Sequence, residues 1–251
     1  DHAVPLPSPL AGSETIRLVG RVDEMERLWT AWKHARSGDK RLVLLSGEPG
    51  VGKTRLAAEL ARRAHAEGAA VLFGRCDDDL AVPYQPFVEA LRTYVSTCAP
   101  ADLEVQVGSH GGDVARLVPE LAEQVTGLSE PLHADPETER YHLFEAVDAF
   151  LEGAAASVPV VLLLDDLHWA AKPTLLMLRH LVRAGNDASL LVVGTYRDTE
   201  LDRRHPLAEM LADLRRNETV ERMALRGLDE GEVTAFVEAA ADQPLSPEVA
   251  E

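Results

Sequence analysis

The feature that most constrains this chain is a glycine-rich segment from Gly47 to Thr54, Gly-Glu-Pro-Gly-Val-Gly-Lys-Thr. It fits the pattern G-x-x-x-x-G-K-[ST] of phosphate-binding loops (P-loops). An apolar run at 42–45 precedes it, and a helical pattern starts at Lys53. A strand, a glycine loop and a helix in this order form a phosphate cradle, because the helix directs its positive end at the anion. The segment therefore predicts an α/β fold that binds a nucleoside triphosphate.

Each residue type in the loop suits this chemistry. The glycines let the backbone bring N–H groups onto phosphate oxygens without Cβ clashes. Lys53 can reach the β- and γ-phosphates as a point charge, and the Thr54 hydroxyl is a candidate Mg²⁺ ligand. The predicted binding residues here are Gly47, Glu48, Pro49, Gly50, Val51, Gly52, Lys53, Thr54 and Arg55. The alternative is a glycine-rich turn before an ordinary helix.

The composition favours an acidic globular protein without disulfides. The chain has 251 residues, enough for one large α/β domain and part of a second. Its 42 acidic and 25 basic residues give a net charge of −17. This charge repels nucleic acid, so we expect no direct nucleic-acid binding by this segment. Two cysteines, Cys76 and Cys98, provide no disulfide framework and indicate a cytoplasmic location. No apolar run approaches the length of a membrane span, so we expect no membrane partner.

Apolar runs alternate with helical patterns along the chain, which is typical of a parallel sheet covered on both faces. Strands are predicted at 42–46, 71–73, 160–164 and 190–193, with a weaker one at 220–225. Helices are predicted from Asp23 as N-cap, from Lys53, near 86–97, near 113–125, from Asp135, after Pro173 and over 229–241. The predicted fold class is an α/β three-layer αβα sandwich of the P-loop NTPase type, with a parallel central sheet and the start of a helical lid.

The organisation along the chain predicts three segments. Residues 1–17 contain three prolines with little periodicity and are predicted to be a linker. Residues 18–226 are predicted to form the P-loop core, and 227–251 the beginning of a C-terminal helical lid. The chain begins without Met and ends within a helical pattern, so we expect it to be part of a longer polypeptide.

A second group of functional side chains follows the apolar run 160–164. Asp165 and Asp166 come directly after this strand. Because ligands of parallel α/β sheets bind at the carboxyl ends of the strands, we expect both carboxylates beside the P-loop. Hydrolysis of a bound triphosphate needs one carboxylate for Mg²⁺ and a second group to orient the attacking water. We assign Asp165, with Thr54, to the metal and Asp166 to the water. The alternative is a solvated acidic turn.

Arg197 is the third candidate, in the sequence Gly-Thr-Tyr-Arg-Asp after the predicted strand 190–193. A cation at that strand end is placed to sense the γ-phosphate, and we group it with Lys53 and Asp166 as catalytic. The alternative is a surface arginine paired with Asp198. His168 and Trp169 follow the acid pair, and Trp169 is predicted to be a packing residue rather than a catalytic one.

Six blocks of sequence, in a common order, resemble one protein family. They are 18–21 (Leu-Val-Gly-Arg), the P-loop, 75–77 (Arg-Cys-Asp), 83–87 (Pro-Tyr-Gln-Pro-Phe), 164–169 (Leu-Asp-Asp-Leu-His-Trp) and 194–197 (Gly-Thr-Tyr-Arg). Together they resemble the AAA-like ATPase module of STAND proteins, the signal-transduction ATPases with numerous domains. The most similar modules belong to large bacterial transcriptional regulators of the SARP (AfsR-like) and large LuxR types.

The resemblance implies ATP and Mg²⁺ as cofactors and adds site residues. In such proteins a Val-Gly-Arg segment before the first helix packs near the adenine, which implies nucleotide contacts for Val19, Gly20 and Arg21. The Thr-x-Arg sensor of the family corresponds to Thr195 and Arg197. There are two departures. Trp-Ala-Ala at 169–171 stands where the family commonly has Trp-Ala-Asp, and the chain ends before a Gly-x-Pro lid segment appears.

The leading hypothesis from the resemblance is a regulatory switch module that binds ATP and hydrolyses it slowly. Its expected partners are ATP or ADP, other domains of the same polypeptide that include a DNA-binding domain, and nucleotide-dependent oligomers. Three alternatives stay open: an AAA+ remodelling ATPase, a nucleotide-binding module without hydrolysis, and a small-molecule kinase. Remodellers normally carry Glu where this chain has Asp166, and a kinase requires an acceptor pocket that the sequence does not reveal.

Overall fold

The computed structural model contains a parallel sheet of five strands in the order β2-β3-β4-β1-β5. It describes residues 4–11, 18–78, 82–131, 133–184, 187–202 and 204–241. The strands are β1 (Arg41–Ser46), β2 (Ala70–Arg75), β3 (Val160–Asp165), β4 (Leu190–Tyr196) and β5 (Val220–Ala224). Since β4 lies between β1 and β3, the strand before the P-loop and the strand before the acid pair both border it.

Each central strand is apolar on both sides, because both faces of the sheet are covered. In β1, Leu42 and Leu44 pack into the apolar cluster on one face. Val43 and Leu45 pack into the cluster on the other face, and all four side chains are at most 1% exposed. This explains why the strand sequences show continuous apolar runs instead of an alternating pattern.

Helices cover both faces and complete the predicted three-layer αβα sandwich. One face receives the buried side chains of α1 (Ser8–Ala11), α2 (Val22–Arg36) and α3 (Lys53–Ala66). The other receives α4 (Gln85–Thr97), α5 (Pro100–Val107), α6 (Gly111–Ala115), α7 (Glu120–Gln124), α8 (Pro136–Ser157), α9 (Lys172–Arg183) and α10 (Pro206–Asp213). A last helix, α11 (Glu230–Ala241), follows β5.

The predicted helix at 113–125 was wrong in its extent. The structure contains two short helices there, α6 and α7, separated by residues 116–119. Pro119 has no N–H to donate to the carbonyl four residues before it, so a continuous helix is interrupted at this point. The preceding helix α5 was not predicted, because its eight residues carry too short an apolar pattern to stand out.

The start of α2 also differs from the prediction. The helix begins at Val22, one residue earlier than expected, and Arg21 precedes it in the left-handed region with φ 62°. Asp23 lies within the first turn instead of capping it, where its charge complements the helix dipole. The reason is tertiary, because the Arg21 side chain is held by distant backbone carbonyls.

Part of the segment predicted as a linker packs on the core. Leu10 of α1 is 1% exposed and joins the apolar cluster around α3. The ring nitrogen Nε2 of His65, on α3, lies 2.9 Å from the Val4 carbonyl oxygen. Residues 1–3 and 12–17 of this segment, and 242–251 of the predicted lid, lie outside the described residues. Within the described ranges, no helix is long and apolar enough to cross a membrane.

Strand β4 extends three residues beyond its predicted end. Leu44, Leu45 and Ser46 of β1 pair with the last residues of β4 in register, so the ladder continues to Tyr196. Pairing with β1 therefore supports a sequence, Gly-Thr-Tyr, that is less apolar than the run before it. As a consequence, Thr195 lies inside the sheet and Arg197 directly after it.

Candidate functional site

The P-loop connects β1 to α3 and surrounds the amino group of Lys53. Gly47, Gly50 and Gly52 have φ values of 146°, 78° and 99°, which side chains rarely adopt. Lys53 is 7% exposed, and its Nζ donates to the carbonyl oxygens of Gly47 and Glu48 at 2.8 Å each. Burial lowers the pKa of Lys53, and the neighbouring Asp166 opposes this effect. The loop thus holds a cation at the N-terminus of α3.

The space in front of two glycines of the loop is open. A Cβ atom added to Gly50 or Gly52 would meet no other atom within 4 Å, whereas one on Gly47 would lie 2.6 Å from the Leu225 carbonyl oxygen. The first N–H groups of α3 have no acceptor within their own helix, and they face this side with the dipole of the helix. The loop is therefore closely packed at Gly47, against the residue after β5, and open in front of Gly50 and Gly52.

Asp165 is the centre of a hydrogen-bonded group at the ends of β3 and β4. The carboxylate is 2% exposed, and its Oδ1 accepts from Thr54 Oγ1 at 2.8 Å and from Thr195 Oγ1 at 2.6 Å. Burial raises the pKa of Asp165, while these two hydrogen bonds lower it. The structure thus brings Thr54 and Asp165, 111 residues apart, into direct contact.

Asp166 is held in an uncommon backbone conformation beside Asp165. Its φ of 58° and ψ of 44° place it in the left-handed region, and its N–H donates to Thr195 Oγ1 at 2.9 Å. Its Oδ2 accepts from Arg75 Nε at 3.1 Å and from Arg75 Nη2 at 2.8 Å. Arg75 is the last residue of β2, the strand that pairs with β3. The block Arg-Cys-Asp at 75–77 thus supplies a partner for the acid pair, a role that the sequence did not predict.

Arg197 directs its guanidinium group to a carboxylate of the next turn. Its Nη1 donates at 2.7 Å to Oε1 of Glu200, which lies in the short 3-10 turn Asp198–Glu200. The alternative stated from the sequence was a pair with Asp198, and the partner in the structure is Glu200. Arg197 still follows the carboxyl end of β4, which lies between β1, the strand before the P-loop, and β3, the strand that ends with Asp165. Its role as a sensor stays a prediction.

A cleft of about 890 Å³ lies beside the P-loop, between the core and α11. Leu18, Val19 and Arg21 contribute to its wall, as do Val233 and Phe236 of α11. Phe236 is 38% exposed and Val233 46%, so the face of α11 toward the cleft carries apolar surface. Neither residue was predicted from the sequence, although their spacing of three within a predicted helix was a signal that could have indicated them.

The three predicted adenine contacts occupy different positions around this cleft. Val19 lines it, and Arg21 lines it while its Nη2 donates to the carbonyl oxygens of Val51, at 3.2 Å, and Arg226. Gly20 has a φ of 65°, and a Cβ atom there would collide with the Glu232 carboxylate. Arg21 therefore links the P-loop to the segment before α11, and Gly20 permits the close approach of α11 itself.

The oxygen atoms of Thr54 and Asp165 suit Mg²⁺, which commonly takes one or two protein oxygens and keeps several waters. Within the described ranges, no group of three or more His, Cys, Asp and Glu side chains is arranged to hold a metal ion by itself. This agrees with an ion that is shared between protein and phosphate oxygens rather than enclosed by protein ligands.

Curated relatives match a limited part of longer proteins. An uncharacterized protein of Rhizobium meliloti is 26% identical over 232 residues, covering 83% of this chain and 21% of that protein. The hybrid signal transduction histidine kinase G of Dictyostelium discoideum is 27% identical over 165 residues, covering 61% of this chain and 5% of that protein. The chain therefore spans 21% or less of the length of these relatives.

Solved structures match most of this chain at low sequence identity. A STAND protein with a tetratricopeptide repeat sensor from Pyrococcus horikoshii has a TM-score of 0.48 and 16% identity, covering 99% of this chain and 28% of that chain. The replication initiator DnaA bound to AMPPCP and single-stranded DNA has a TM-score of 0.49, 14% identity, and covers 94% and 56%. C. elegans PCH-2 has a TM-score of 0.46, 12% identity, and covers 94% and 51%.

A protein-family model assigns most of the core. The model described as AAA ATPase domain matches residues 17–193, from the segment before α2 to the interior of β4. This range contains the P-loop and the acid pair, which the fold brings together at one edge of the sheet. The chain belongs to the AAA ATPase domain family.

Proposed function

We propose that this chain is an ATP-binding module that hydrolyses ATP slowly and acts as a regulatory switch in a signal-transduction protein. The observation that carries the proposal is the contact between Thr54 of the P-loop and Asp165 of β3, at 2.8 Å. It supports the proposal because a hydroxyl and a carboxylate oxygen are ligand types that Mg²⁺ takes, and because the buried Lys53 precedes Thr54 in the same loop. The proposal is also supported by the nucleotide-sized cleft that opens next to the loop.

Lys53 and the loop backbone bind the triphosphate in this proposal. In the structure the Lys53 ammonium group is satisfied by two carbonyl oxygens of its own loop. A β- or γ-phosphate is a stronger acceptor, because a hydrogen bond between two charged groups is stronger than one to a neutral carbonyl. The Thr54 hydroxyl and Asp165 would hold Mg²⁺, which offsets negative charge on the phosphate oxygens when it is bound.

Asp166 orients the attacking water. A water oxygen forms a bond to the γ-phosphorus while the bond from phosphorus to the ADP oxygen breaks. Asp166 Oδ2 is occupied by Arg75, which leaves Oδ1 as the oxygen that accepts a hydrogen bond from this water. The backbone N–H of Asp166 donates to Thr195 Oγ1, and this hydrogen bond fixes the backbone position from which the carboxylate extends.

The proposed switch depends on the ion pair between Arg197 and Glu200. Arg197 is bonded to Glu200, and contact with a γ-phosphate requires it to leave that carboxylate. ATP, but not ADP, offers this exchange, so the two nucleotides favour different arrangements at the end of β4. Reversing a population from 1:99 to 99:1 requires about 5.5 kcal/mol of differential binding. Contacts of Lys53 and Arg197 with a γ-phosphate would be the source of this difference.

The wider role is that of a transcriptional regulator in the cytoplasm. Its output would come from other domains of the polypeptide, including one that binds DNA, because the net charge of −17 opposes DNA binding by this segment. We place the P-loop core at 18–226, and the lid from 227 onward, where α11 covers the nucleotide cleft. Oligomers that form with ATP are expected from the same proposal.

Removal of the Lys53 ammonium group tests nucleotide binding. We expect Lys53→Ala to abolish binding of ATP in a calorimetric titration, whereas Lys172→Ala leaves the affinity unchanged. Lys172 is a matched control because it also begins a helix, α9, and its side chain is 63% exposed. ATP affinity of Lys53→Ala equal to that of the unmodified chain would refute the P-loop assignment.

Hydrolysis and sensing are separated by two further variants. Asp166→Asn is expected to bind ATP normally but to release phosphate at least about 100-fold more slowly, a typical contribution of a group that handles the proton of a reacting water. Asp102→Asn is the control, because Asp102 is an exposed acid on α5.

Arg197→Ala is expected to remove the preference for ATP over ADP. Equal weakening of the affinities for both nucleotides would contradict the sensor role.

A nucleotide-binding module without hydrolysis is the second candidate, and the Arg75 contact favours it. Arg75 holds Asp166 Oδ2 with two nitrogen atoms, which restrains the carboxylate that catalysis needs. Repeated release of phosphate from ATP, with no acceptor other than water, would exclude this candidate and a small-molecule kinase. Hexamers that thread a polypeptide would favour a remodelling ATPase.

A further inference from the structure

His168 is a buried histidine whose ring nitrogens lack hydrogen-bond partners in the described part of the chain. It is 3% exposed and lies in a short 3-10 turn, Leu167–Trp169, which follows the acid pair. A buried polar ring without partners costs free energy, so its presence requires an explanation. None of the steps proposed above uses this residue.

The backbone of this turn is anchored from the opposite side. His205 Nδ1 accepts a hydrogen bond from the Leu207 N–H at 3.1 Å. His205 Nε2 lies 3.0 Å from the His168 carbonyl oxygen, to which it donates because Nδ1 already acts as the acceptor. The ring of His168 also packs against Trp169, with 4.9 Å between the ring centroids. The position of the imidazole is therefore set by packing, while its two nitrogens remain available.

Two carboxylates face the two nitrogens of the His168 ring. Nδ1 lies 4.0 Å from Asp166 Oδ1, and Nε2 lies 3.5 Å from Glu200 Oε2. Asp166 is already paired with Arg75 through its other oxygen, and Glu200 with Arg197 through its other oxygen. His168 thus stands between the predicted water-orienting residue and the partner of the predicted sensor.

The imidazole has one N–H to share between these two acceptors. Burial lowers the pKa of His168, and Arg197 and Lys53 act in the same direction, against Asp166 and Glu200. The ring is therefore neutral near pH 7, with a proton on Nδ1 or on Nε2 but not on both. A hydrogen bond to one carboxylate excludes one to the other.

We propose that His168 is a positioning residue that relays the state of Arg197 to Asp166 by exchanging its single N–H between Asp166 and Glu200. When Arg197 leaves Glu200 for the γ-phosphate, Glu200 loses its cation and becomes the stronger acceptor for Nε2–H. The Nδ1–H bond breaks and an Nε2–H bond forms, with a solvent water as the proton carrier, so that Nδ1 carries a lone pair and has no N–H to offer Asp166 Oδ1. That oxygen is released to accept a hydrogen bond from the attacking water, so ATP binding prepares its own hydrolysis.

This inference rests on the proposed function, because it assumes that Arg197 responds to ATP. It adds a residue that touches neither nucleotide nor water and acts through Asp166. It also gives a role to Glu200, which the sequence analysis did not select.

The position of the His168 proton is the direct test. The ¹⁵N shifts of the imidazole nitrogens distinguish the Nδ1–H from the Nε2–H form, and His168→Gln identifies the signal among the nine histidines of the chain. We expect the fraction of Nε2–H to rise when Mg²⁺ and a non-hydrolysable ATP analogue replace Mg²⁺ and ADP. An unchanged or smaller fraction would overturn the relay.

A kinetic test uses the dependence of one substitution on another. Without Glu200 the N–H stays with Asp166, so Glu200→Ala is expected to lower kcat for phosphate release about 10-fold, as loss of a supporting partner typically does. KM for ATP is not expected to rise, because Arg197 loses a competing carboxylate. In a His168→Phe background the same change should alter kcat less than about twofold, because no N–H is left to hold Asp166.

The outcomes separate failure of the relay from failure of the proposed function. If Glu200→Ala lowers kcat by the same factor with and without His168, the two residues act independently and the relay is wrong, although the ATPase stands. If the unmodified chain does not bind ATP, the proposed function and the relay are both wrong. Glu209→Gln, an exposed acid on α10, is the control for a general effect of charge.

Discussion

Thr195 connects both acids of the site, so its replacement by valine measures how strongly the protein holds them. The side chain is 0% exposed; it donates to Asp165 Oδ1 at 2.6 Å and accepts from the Asp166 N–H at 2.9 Å. Valine has nearly the same branched shape, so Thr195→Val removes two hydrogen bonds with little change in volume. The effect therefore reports on the polar contacts rather than on a cavity.

The magnitude follows from the two groups that lose a partner. A hydrogen bond to a charged group contributes about 1.5–3 kcal/mol, and a buried N–H left without an acceptor costs about 1–3 kcal/mol. We expect Thr195→Val to lower the free energy of unfolding by about 2.5–6 kcal/mol at neutral pH. Thr174→Val is the control. Thr174 is also 0% exposed, and its hydroxyl accepts from the uncharged Tyr84 N–H at 2.8 Å, so its loss should cost about 1–3 kcal/mol.

The pH dependence of this difference has a definite sign. Burial already raises the pKa of Asp165 above its ordinary value of 3.8, and the hydrogen bond from Thr195 opposes that rise. The variant therefore has the higher folded-state pKa. A carboxyl group with a raised folded-state pKa makes the folded state less stable as pH increases through the interval between its unfolded and folded values. This interval is wider in the variant, so its deficit is greatest near neutral pH and shrinks as pH falls toward the unfolded value.

Urea unfolding, followed by the fluorescence of the three tryptophans, measures both variants from about pH 8 down to about pH 4, near the unfolded value. A cost for Thr195→Val no larger than that for Thr174→Val would refute the charge-assisted contact. A deficit that stays constant over the whole pH range would refute the assignment of the effect to ionised Asp165.

Two further substitutions test the frame around the site. Lys40→Met should lower the free energy of unfolding, measured in urea, by about 3–5 kcal/mol. The reason is that Lys40 Nζ donates to the buried Asp148 carboxylate at 2.9 Å, and the variant leaves this carboxylate without that partner. Adding Asp148→Leu should recover most of this loss. Recovery of none of the loss would show that the ion pair is not the cause. Gly20→Ala should weaken ATP binding in a titration, because the new Cβ atom pushes the Glu232 carboxylate away from the Asp229 N–H that it accepts from at the start of α11. Gly38→Ala, also at positive φ but with open space around it, should leave ATP binding unchanged. Equal ATP affinities of the two alanine variants would contradict a role of the Gly20 contact in the lid.

The strands and the phosphate loop were predictable because local sequence carries their signals. The runs around Leu42, Val160 and Leu190 are apolar on both faces, and only a sheet covered on both sides accommodates that pattern at such short lengths. The glycines of the loop specify backbone angles that other residues rarely adopt. The position of α11 was also predictable to within one residue, from its helical pattern over 229–241.

Other features depend on contacts between segments that are distant in sequence. Arg21 directly precedes α2, and its side chain is held by the carbonyl oxygens of Val51 and Arg226, which are far from it in sequence. Arg75 ends β2 beside the acid pair only because β2 and β3 are adjacent in the sheet. The burial of Leu10 is of the same kind, since a short proline-rich segment carries no periodic pattern that would indicate where it packs.

The sequence by itself determined the chemistry of this protein, namely a phosphate loop, a carboxylate pair at a strand end and a cation after another strand. These are properties of residue types and of their spacing along one element. Only the tertiary structure decided which atoms meet. It joins Thr54 to Asp165 and sets His168 between Asp166 and Glu200. The physical reason is the strand order, because placing β4 between β1 and β3 brings three strand ends to one edge of the sheet.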